Sequence, residues 1–480
     1  MTYQSPCRKR NNIRVDARVN YLLLATALLG TFFSGTATRI FIISMPTVAS
    51  SLGTDLIGIS WALLAYQLSN IGLSIIFGRI ADLWGREKVF ALGFIVFSLG
   101  SLLCGLSQTV LQLILYRLLQ GVGGAMIQSS SRALAAEAVP EELGGRAQGY
   151  MTTAYHVGFL LGPSMGGLLI DYLSWRWAFF FLVPIGLFGA LLSLGNLKRH
   201  PLTSRHYSID YLGAILLFTT TTTLVFLLDR RTLAIMGTET KLVLAVLFLG
   251  ALSGFILHES TTKSPFVNLA LFKRRTFSMS VLSLLIMALC YSLTAFLLPF
   301  YLQDVLHLSP SFIGVLFMAP PIVTITLAPL SGYLTDRLGP RLPATFGVTF
   351  MTLSLLVGGF LQPDSHWLFP TFMIALGAIT NGMFNPANAT GMVAMMPKEH
   401  RGFASAMNHV TFGFGNVLGV ALGGLLMTAA FEYHTGLSGV SPSTENPVGF
   451  VVALDTTFLI VAGLSLIAFL TSAAGGRRTS

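Results

Sequence analysis

Arg39 and Arg117 stand deep inside long apolar stretches of this 480-residue chain. An arginine near the centre of a bilayer costs about 2.5–3.5 kcal/mol on insertion scales, so each is expected to face a cavity or a partner. At helical spacing Arg117, Gln120, Gly121, Gly124 and Gln128 fall on one face. That face is small and polar, as a cavity lining should be; a structural hydrogen-bond hub is the other reading of Arg117. Tyr66 and Asn70 lie one turn apart, Asn381, Asn385 and Asn388 share a second face, and Asn408 adjoins His409. Each of these groups costs free energy in lipid unless it meets protein or water. Substrate contact and helix–helix hydrogen bonding are about equally open for them. Imidazole titrates near pH ~6.5, so His156 and His409 are candidate proton carriers. Asp171, Asp229, Asp304 and Asp455 all fall near the ends of apolar stretches, and no carboxylate stands clearly in the middle of one. Enzymatic chemistry finds no support: there is no phosphate-binding loop of the Gly-x-x-x-x-Gly-Lys-Ser/Thr type, and no His/Cys cluster has metal-ligand spacing. Cys7, Cys104 and Cys290 fit neither a disulfide framework nor a zinc site. No cofactor and no metal are expected.

The elements that must position these groups are membrane helices. The chain is 53% hydrophobic and only 10% charged, against about 25% charged in soluble globular proteins. A surface that poor in charge must face lipid, which excludes a disordered chain, a secreted disulfide scaffold and a nucleic-acid binder. Fourteen apolar stretches approach the length of a transmembrane helix: 21–46, 57–77, 89–107, 109–131, 148–170, 178–196, 210–228, 241–258, 278–301, 309–331, 343–361, 368–390, 403–429 and 449–472. With the N-terminus inside, Arg39 and Arg117 lie within spans, Arg176, Arg230, Arg231 and Lys241 lie outside, and the rest of the 29 Lys and Arg lie inside. That asymmetry is the positive-inside pattern, so the net charge of +10 is mostly topological. The first span follows a basic tail but is too long for an ordinary signal peptide and lacks a convincing cleavage site.

An internal repeat organises the spans. Gly78, Asp82 and Gly85 recur as Gly332, Asp336 and Gly339, and Gly158, Gly162, Gly166 and Gly167 recur as Gly415, Gly419, Gly423 and Gly424. Spans 1–6 therefore correspond to spans 9–14, with spans 7 and 8 inserted. The expected domains are a cytoplasmic tail (1–20), a six-helix bundle (21–200), two inserted helices (201–262), a second six-helix bundle (263–472) and a second cytoplasmic tail (473–480). Parallel repeats of this kind describe a rocking transporter with a midplane site. Asp82 with Arg79 and Arg86 supplies charges that could latch the halves at the inner ends of the helices and release during rocking. Gly158, Gly162 and Gly166 leave one face of span 5 almost flat, which lets a neighbouring helix approach, and Pro163 can bend it.

The loop Gly78-Arg-Ile-Ala-Asp82-Leu-Trp-Gly85-Arg86 resembles the signature loop of the major facilitator superfamily. Arg117-Leu-Leu-Gln120-Gly121-Val-Gly-Gly124 is similar to its second motif, and Gly158-Phe-Leu-Leu-Gly162-Pro163-Ser-Met-Gly166-Gly167 to its antiporter motif. Trp61 with Tyr66, Trp175-Arg176-Trp177 and Pro299-Phe-Tyr-Leu-Gln303 further resemble the 14-helix drug:proton antiporter branch. The resemblance implies an all-α fold of two six-helix bundles plus two helices. It also implies proton-coupled export of lipophilic or amphipathic molecules, with Arg117 helping to move the proton. One position departs from the branch: the usual acid in span 1, about nine residues before Pro46, is Ala37 here. The alternatives are a carrier of anionic or lipid-like solutes held by Arg39 and Arg117, and a membrane receptor or scaffold that does not transport. The expected partners are a small molecule, protons and the bilayer of the cytoplasmic membrane. The protein is expected to be a monomer, with both termini cytoplasmic.

Overall fold

The computed structural model describes residues 19–140, 143–195, 211–229, 233, 236–262, 269–394, 401–437 and 446–475. Most of the N-terminal tail, the end of the C-terminal tail and the segments 196–210 and 395–400 lie outside the described residues, and with them Cys7, Glu142, Arg230, Arg231, Pro397 and Glu399.

Every regular element among the described residues is helical. In chain order the α-helices are α1 (Tyr21–Ser51), α2 (Leu56–Trp84), α3 (Arg86–Leu106), α4 (Val110–Glu137), α5 (Gly144–Tyr172), the short α6 (Trp177–Phe180), α7 (Leu182–Gly195), α8 (Tyr211–Leu228) and α9 (Thr238–Thr261). They continue with α10 (Arg275–Phe300), α11 (Pro310–Leu316), α12 (Ala319–Leu338), α13 (Arg341–Gly358), α14 (Leu368–Ala394), α15 (Arg401–Thr435) and α16 (Pro447–Gly475). Twelve helical stretches are long and apolar enough to cross a membrane. The apolar part of α8, Leu212–Leu228, is shorter, and α5 falls outside the twelve; its Thr152, Thr153, Tyr155 and His156 lower its hydropathy. Exposed leucines on one face of α3 (Leu92, Leu99, Leu102, Leu106) and along α9 (Leu242, Leu247, Leu249) form the lipid-facing surface of a multi-pass membrane protein.

Local chemistry sets the helix ends. Asp55 and Thr109 cap α2 and α4 by accepting from the backbone N–H of Gly58 and Gln112. α2 ends at Gly85 (φ +104°) and α12 at Gly339 (φ +83°), backbone conformations that disfavour any side chain. The repeat thus has a structural reason at these two positions. It also corrects the expectation of a motif loop: Gly78 to Trp84 and Gly332 to Leu338 are the last turns of α2 and α12, and each turn is only one or two residues long. Polar residues leaving the apolar zone do not end a helix whose backbone bonds are internal. For the same reason α4 runs to Glu137 and not to 131.

The glycine faces work alike in both repeats. On α5, a side chain at Gly158 would strike the Phe32 carbonyl of α1, and one at Gly162 would lie 3.0 Å from Thr36 O and Arg39 Cβ. On α15, a side chain at Gly415 would lie 2.7 Å from the Leu285 carbonyl of α10, and one at Gly419 would strike the Leu289 carbonyl. α5 therefore packs on α1 as α15 packs on α10. α8 lies along α2 and α15, with Trp61 Nε1 donating to Asp229 Oδ2 at 2.7 Å, and α9 packs on α8.

The bundle has two distinguishable ends. At the far end, where α1 and α5 finish, Gly167 meets Pro310, Gly314 meets Pro163, Thr47 and Gln303 exchange side-chain hydrogen bonds, and the Ser311 N–H donates to Asp171 at 2.8 Å. At the near end, where α2 and α4 finish, Arg86 pairs with Asp82 (2.8 Å) and with Glu137, and Arg79 lies 3.8 Å from Asp82. That cluster ties α2, α3 and α4 to one another. Around Gly332 and Gly339 there is open space, and no ion pair involves Asp336 among the described residues.

Candidate functional site

Between α1, α2, α4, α5, α10, α12, α14 and α15 lies a cavity of about 480 Å³. Its wall is aromatic and polar: Tyr155, Phe159, Tyr291 and Phe412 supply rings, Gln67, Gln128, Asn381, Asn385, Asn408 and Asn416 supply carboxamides, and Arg39 and Arg132 supply positive charge. Asn385 Nδ2 donates to Asn381 Oδ1 at 2.9 Å. Arg132 and Thr152, which also line the cavity, are exposed, so it opens toward the near end.

Arg39 closes the opposite end of the cavity. It is 8% exposed. Its guanidinium carbon stands 3.6 Å from the centre of the Phe159 ring and 5.3 Å from that of Tyr291, and Nη2 donates to the Tyr291 hydroxyl at 3.2 Å. One side chain of α1 thereby joins α5 to α10. Beyond it lies a small, mostly apolar space bounded by Pro163, Phe317 and Pro320. Among the described residues, Nε of Arg39 has no hydrogen-bond partner, nor have Gln67 Oε1 and His156 Nδ1 in the same wall. Buried polar atoms left open in a polar cavity are where a solute or water would bind.

Arg117 lies elsewhere. It is 1% exposed and absent from the wall. Its Nε donates to the Ala62 carbonyl at 3.2 Å and its Nη1 to Gln120 Oε1 at 2.6 Å, while Gln120 Nε2 donates to Ser101 Oγ at 2.7 Å. Phe41 and Tyr66 face the guanidinium at 4.1 and 4.5 Å. Tyr66 and Asn70 are buried beside Gly124, outside the cavity wall. The reason is that the polar stripe of α4 has two environments. Toward the far end Arg117, Gln120 and Gly121 meet α1, α2 and α3 tightly enough that a side chain at Gly121 would lie 2.6 Å from the Tyr66 carbonyl. Past Gly124 the same stripe reaches the cavity with Gln128 and Arg132. The geometry of Arg117 is that of a hydrogen-bond hub.

Of the other residues singled out in the sequence, Arg39, Gln128, His156, Asn381, Asn385 and His409 are brought together in the wall. Asn388 is turned away, donating to the Ser280 carbonyl at 3.4 Å. Asp229 and Asp171 serve as hydrogen-bond acceptors near helix ends.

The family model described as Major Facilitator Superfamily matches residues 27–295 and 280–475 of the chain. The chain belongs to this superfamily. As a superfamily member it is a secondary transporter working by alternating access, embedded in the bilayer and handling a small molecule; it is not an enzyme. Among curated relatives, riboflavin transporter RibZ of Clostridioides difficile (strain 630) is 26% identical over 462 residues, covering 96% of this chain and 98% of its own. MdtD of Escherichia coli O157:H7 is 27% identical over 440 residues, 90% of each chain. Among solved structures, a bacterial homologue of the human lysosomal transporter Spinster, in an inward-facing and occupied conformation, superposes with a TM-score of 0.69 at 17% identity, covering 95% of this chain and 96% of its own. The nucleoside transporter NupG gives 0.67 at 12%, covering 95% and 100%. At such identities the structures show the superfamily fold alone.

Several wall residues were not singled out in the sequence: Arg132, Gln67, Tyr155, Phe159, Tyr291, Phe412 and Asn416. Arg132 had a usable signal, standing one turn beyond Gln128 on the same stripe; ending the span at 131 assigned it to a loop instead. The aromatic residues had none, because a ring on a membrane helix packs equally well against lipid or protein.

Proposed function

We infer that the chain is a 14-helix transporter resembling the drug:proton antiporter branch, exporting lipophilic or amphipathic small molecules. Its two six-helix bundles, 21–200 and 263–472, rock about the cavity, and the inserted pair, 201–262, covers one seam between them. Adding α5 and α8 to the twelve apolar stretches supports the count of fourteen. The observation that carries the solute class is the wall, where rings and carboxamides together line about 480 Å³, within the range of small-molecule sites. RibZ is named for riboflavin, an aromatic solute, and MdtD is named provisionally for multidrug resistance; both names fit such a wall. The positive-inside pattern supports a cytoplasmic near end, in the cell membrane, with both termini inside. The Asp82 and Asp336 turns are then the cytoplasmic latches. One copy of the chain supplies the whole cavity, so a monomer suffices.

With Ala37 buried at the position of the branch's acid, proton coupling falls to His156 and His409, both in the wall. Efflux of an amphipathic dye from energised cells or proteoliposomes, with and without a pH gradient, tests this reading. Efflux that stops when the gradient is collapsed is the expected result; efflux indifferent to the gradient contradicts proton coupling, and no efflux of any solute contradicts transport. A second reading, transport of anionic or lipid-like solutes, is favoured by one observation: no Asp or Glu is among the described wall residues. An anion leaving an inside-negative cell gains about 2.3 kcal/mol per charge per 100 mV, so this reading does not need the span-1 acid.

A further inference from the structure

Among the described residues, the cavity wall holds two guanidinium groups and no carboxylate. Neither Arg39 nor Arg132 forms an ion pair among the described residues. Their heights in the cavity differ. The Asn20 N–H donates to the Ala138 carbonyl at 2.8 Å, which sets the near ends of α1 and α4 level with each other. Counting from that level at about 1.5 Å per residue, Arg132 stands roughly 9 Å up α4 and Arg39 roughly 28 Å up α1. Arg132 is exposed at the open mouth, and Arg39, more than nine-tenths buried with its Nε unpartnered, stands at the closed end. Between them the wall presents Tyr155, Phe159 and Phe412.

We propose that Arg132 and Arg39 are successive stations for the negatively charged group of an aromatic organic anion, Arg132 at the mouth and Arg39 at the closed end. The proposal rests on the transport reading above and names the solute class for the same cavity. An anion entering from the near end meets Arg132 first, in water, where a charge gives attraction and little more. Deeper in, the low local dielectric strengthens the pairing, and the open Nε of Arg39 offers a second donor alongside Nη2 for bidentate binding. The Tyr291 hydroxyl now accepts from Nη2. Nη2 carries two N–H groups, and a carboxylate, a better acceptor than a phenol, competes with the Tyr291 hydroxyl for them. Arrival of the solute thus weakens a tie between α1 and α10 at the place where the far end must open.

The test uses the full-length purified protein and three probes of one shape: 1-naphthaleneacetate, 1-naphthaleneacetamide and 1-naphthylethylamine, the last a cation. Binding is measured by equilibrium dialysis and uptake in proteoliposomes. The acetate is expected to bind at least tenfold tighter than the amide or the amine. Arg132→Gln is expected to slow acetate uptake about tenfold and to weaken amide binding far less than acetate binding, and Arg132→Lys to restore most of the uptake, since at an open mouth charge matters more than shape. Equal binding of acetate and amide, preference for the amine, failure of all three to bind, or an equal loss for all three in Arg132→Gln would overturn the proposal. A protein that exports a cationic dye but does not prefer the acetate loses the anion stations and keeps the transport reading; one that moves no solute loses both.

Discussion

Arg39→Ala is expected to lower the transport rate roughly 100-fold, with the protein still inserted and folded. The side chain is anchored by a hydrogen bond to Tyr291 and a guanidinium–ring contact with Phe159 at 3.6 Å. A hydrogen bond to a charged group contributes about 1.5–3 kcal/mol, and a desolvated cation–ring contact about 2 kcal/mol. An anion held by the same guanidinium loses a charge-assisted pairing of similar size, and about 3 kcal/mol is two decades of rate or affinity. Arg39→Lys is expected to recover only part of it, because an ammonium keeps the charge but cannot lie flat on Phe159 while donating in two directions. The check is initial-rate transport in proteoliposomes, normalised to protein, with size-exclusion profiles confirming the fold. A wild-type rate for Arg39→Ala would remove Arg39 from the mechanism.

The second large effect is expected on stability and falls on both repeats. Gly158→Ala places a methyl against the Phe32 carbonyl, and Gly415→Ala places one 2.7 Å from the Leu285 carbonyl. Backbone cannot swing aside as a flexible side chain can. Each substitution must push a helix pair apart, at about 1–3 kcal/mol for overpacking. Both variants are expected to melt several degrees lower in detergent, and Gly158→Ala to transport more slowly, because Gly162, one turn on, backs the Cβ of Arg39. Gly149→Ala, in the same helix with open space around it, is the control and is expected to melt with the wild type. Equal melting temperatures for all three would show that the glycine faces are not close-packed surfaces.

The large-scale architecture was legible in the sequence, and most of the wall was not. Span positions follow from hydropathy because lipid leaves few alternatives to an apolar helix. The repeat was legible because glycines at Gly85 and Gly339 answer to backbone geometry that no other residue satisfies cheaply. Arg39, His156, Asn381 and His409 stood out because a polar group in an apolar stretch needs a reason. The rule that found them could not tell a cavity from a polar core. Arg117 obeys it as fully as Arg39, yet its partners are Ala62, Gln120, Phe41 and Tyr66, because helices α1 to α4 close around that part of α4. Which side of a crossing point a residue falls on is set by tilt and packing, neither of which is written in periodicity. Arg132 was hidden for the complementary reason: a charge at the edge of an apolar stretch looks solvated, and only the continuation of α4 to Glu137 puts it on the wall.

The central claim is that the two halves tilt about the Arg39 end of the cavity, closing one mouth as the other opens. Distances between spin labels test it most directly. Labels at Ser50→Cys and His307→Cys, both exposed, report the far end, and labels at Trp84→Cys and Leu338→Cys, also exposed, report the near end. The background carries Cys7→Ala, Cys104→Ala and Cys290→Ala. The account predicts two populations in each pair, shifting in opposite directions on adding a transported solute: the far-end distance lengthens as the near-end distance shortens. A single distance at both ends, unmoved by a solute that the same preparation transports, would contradict it.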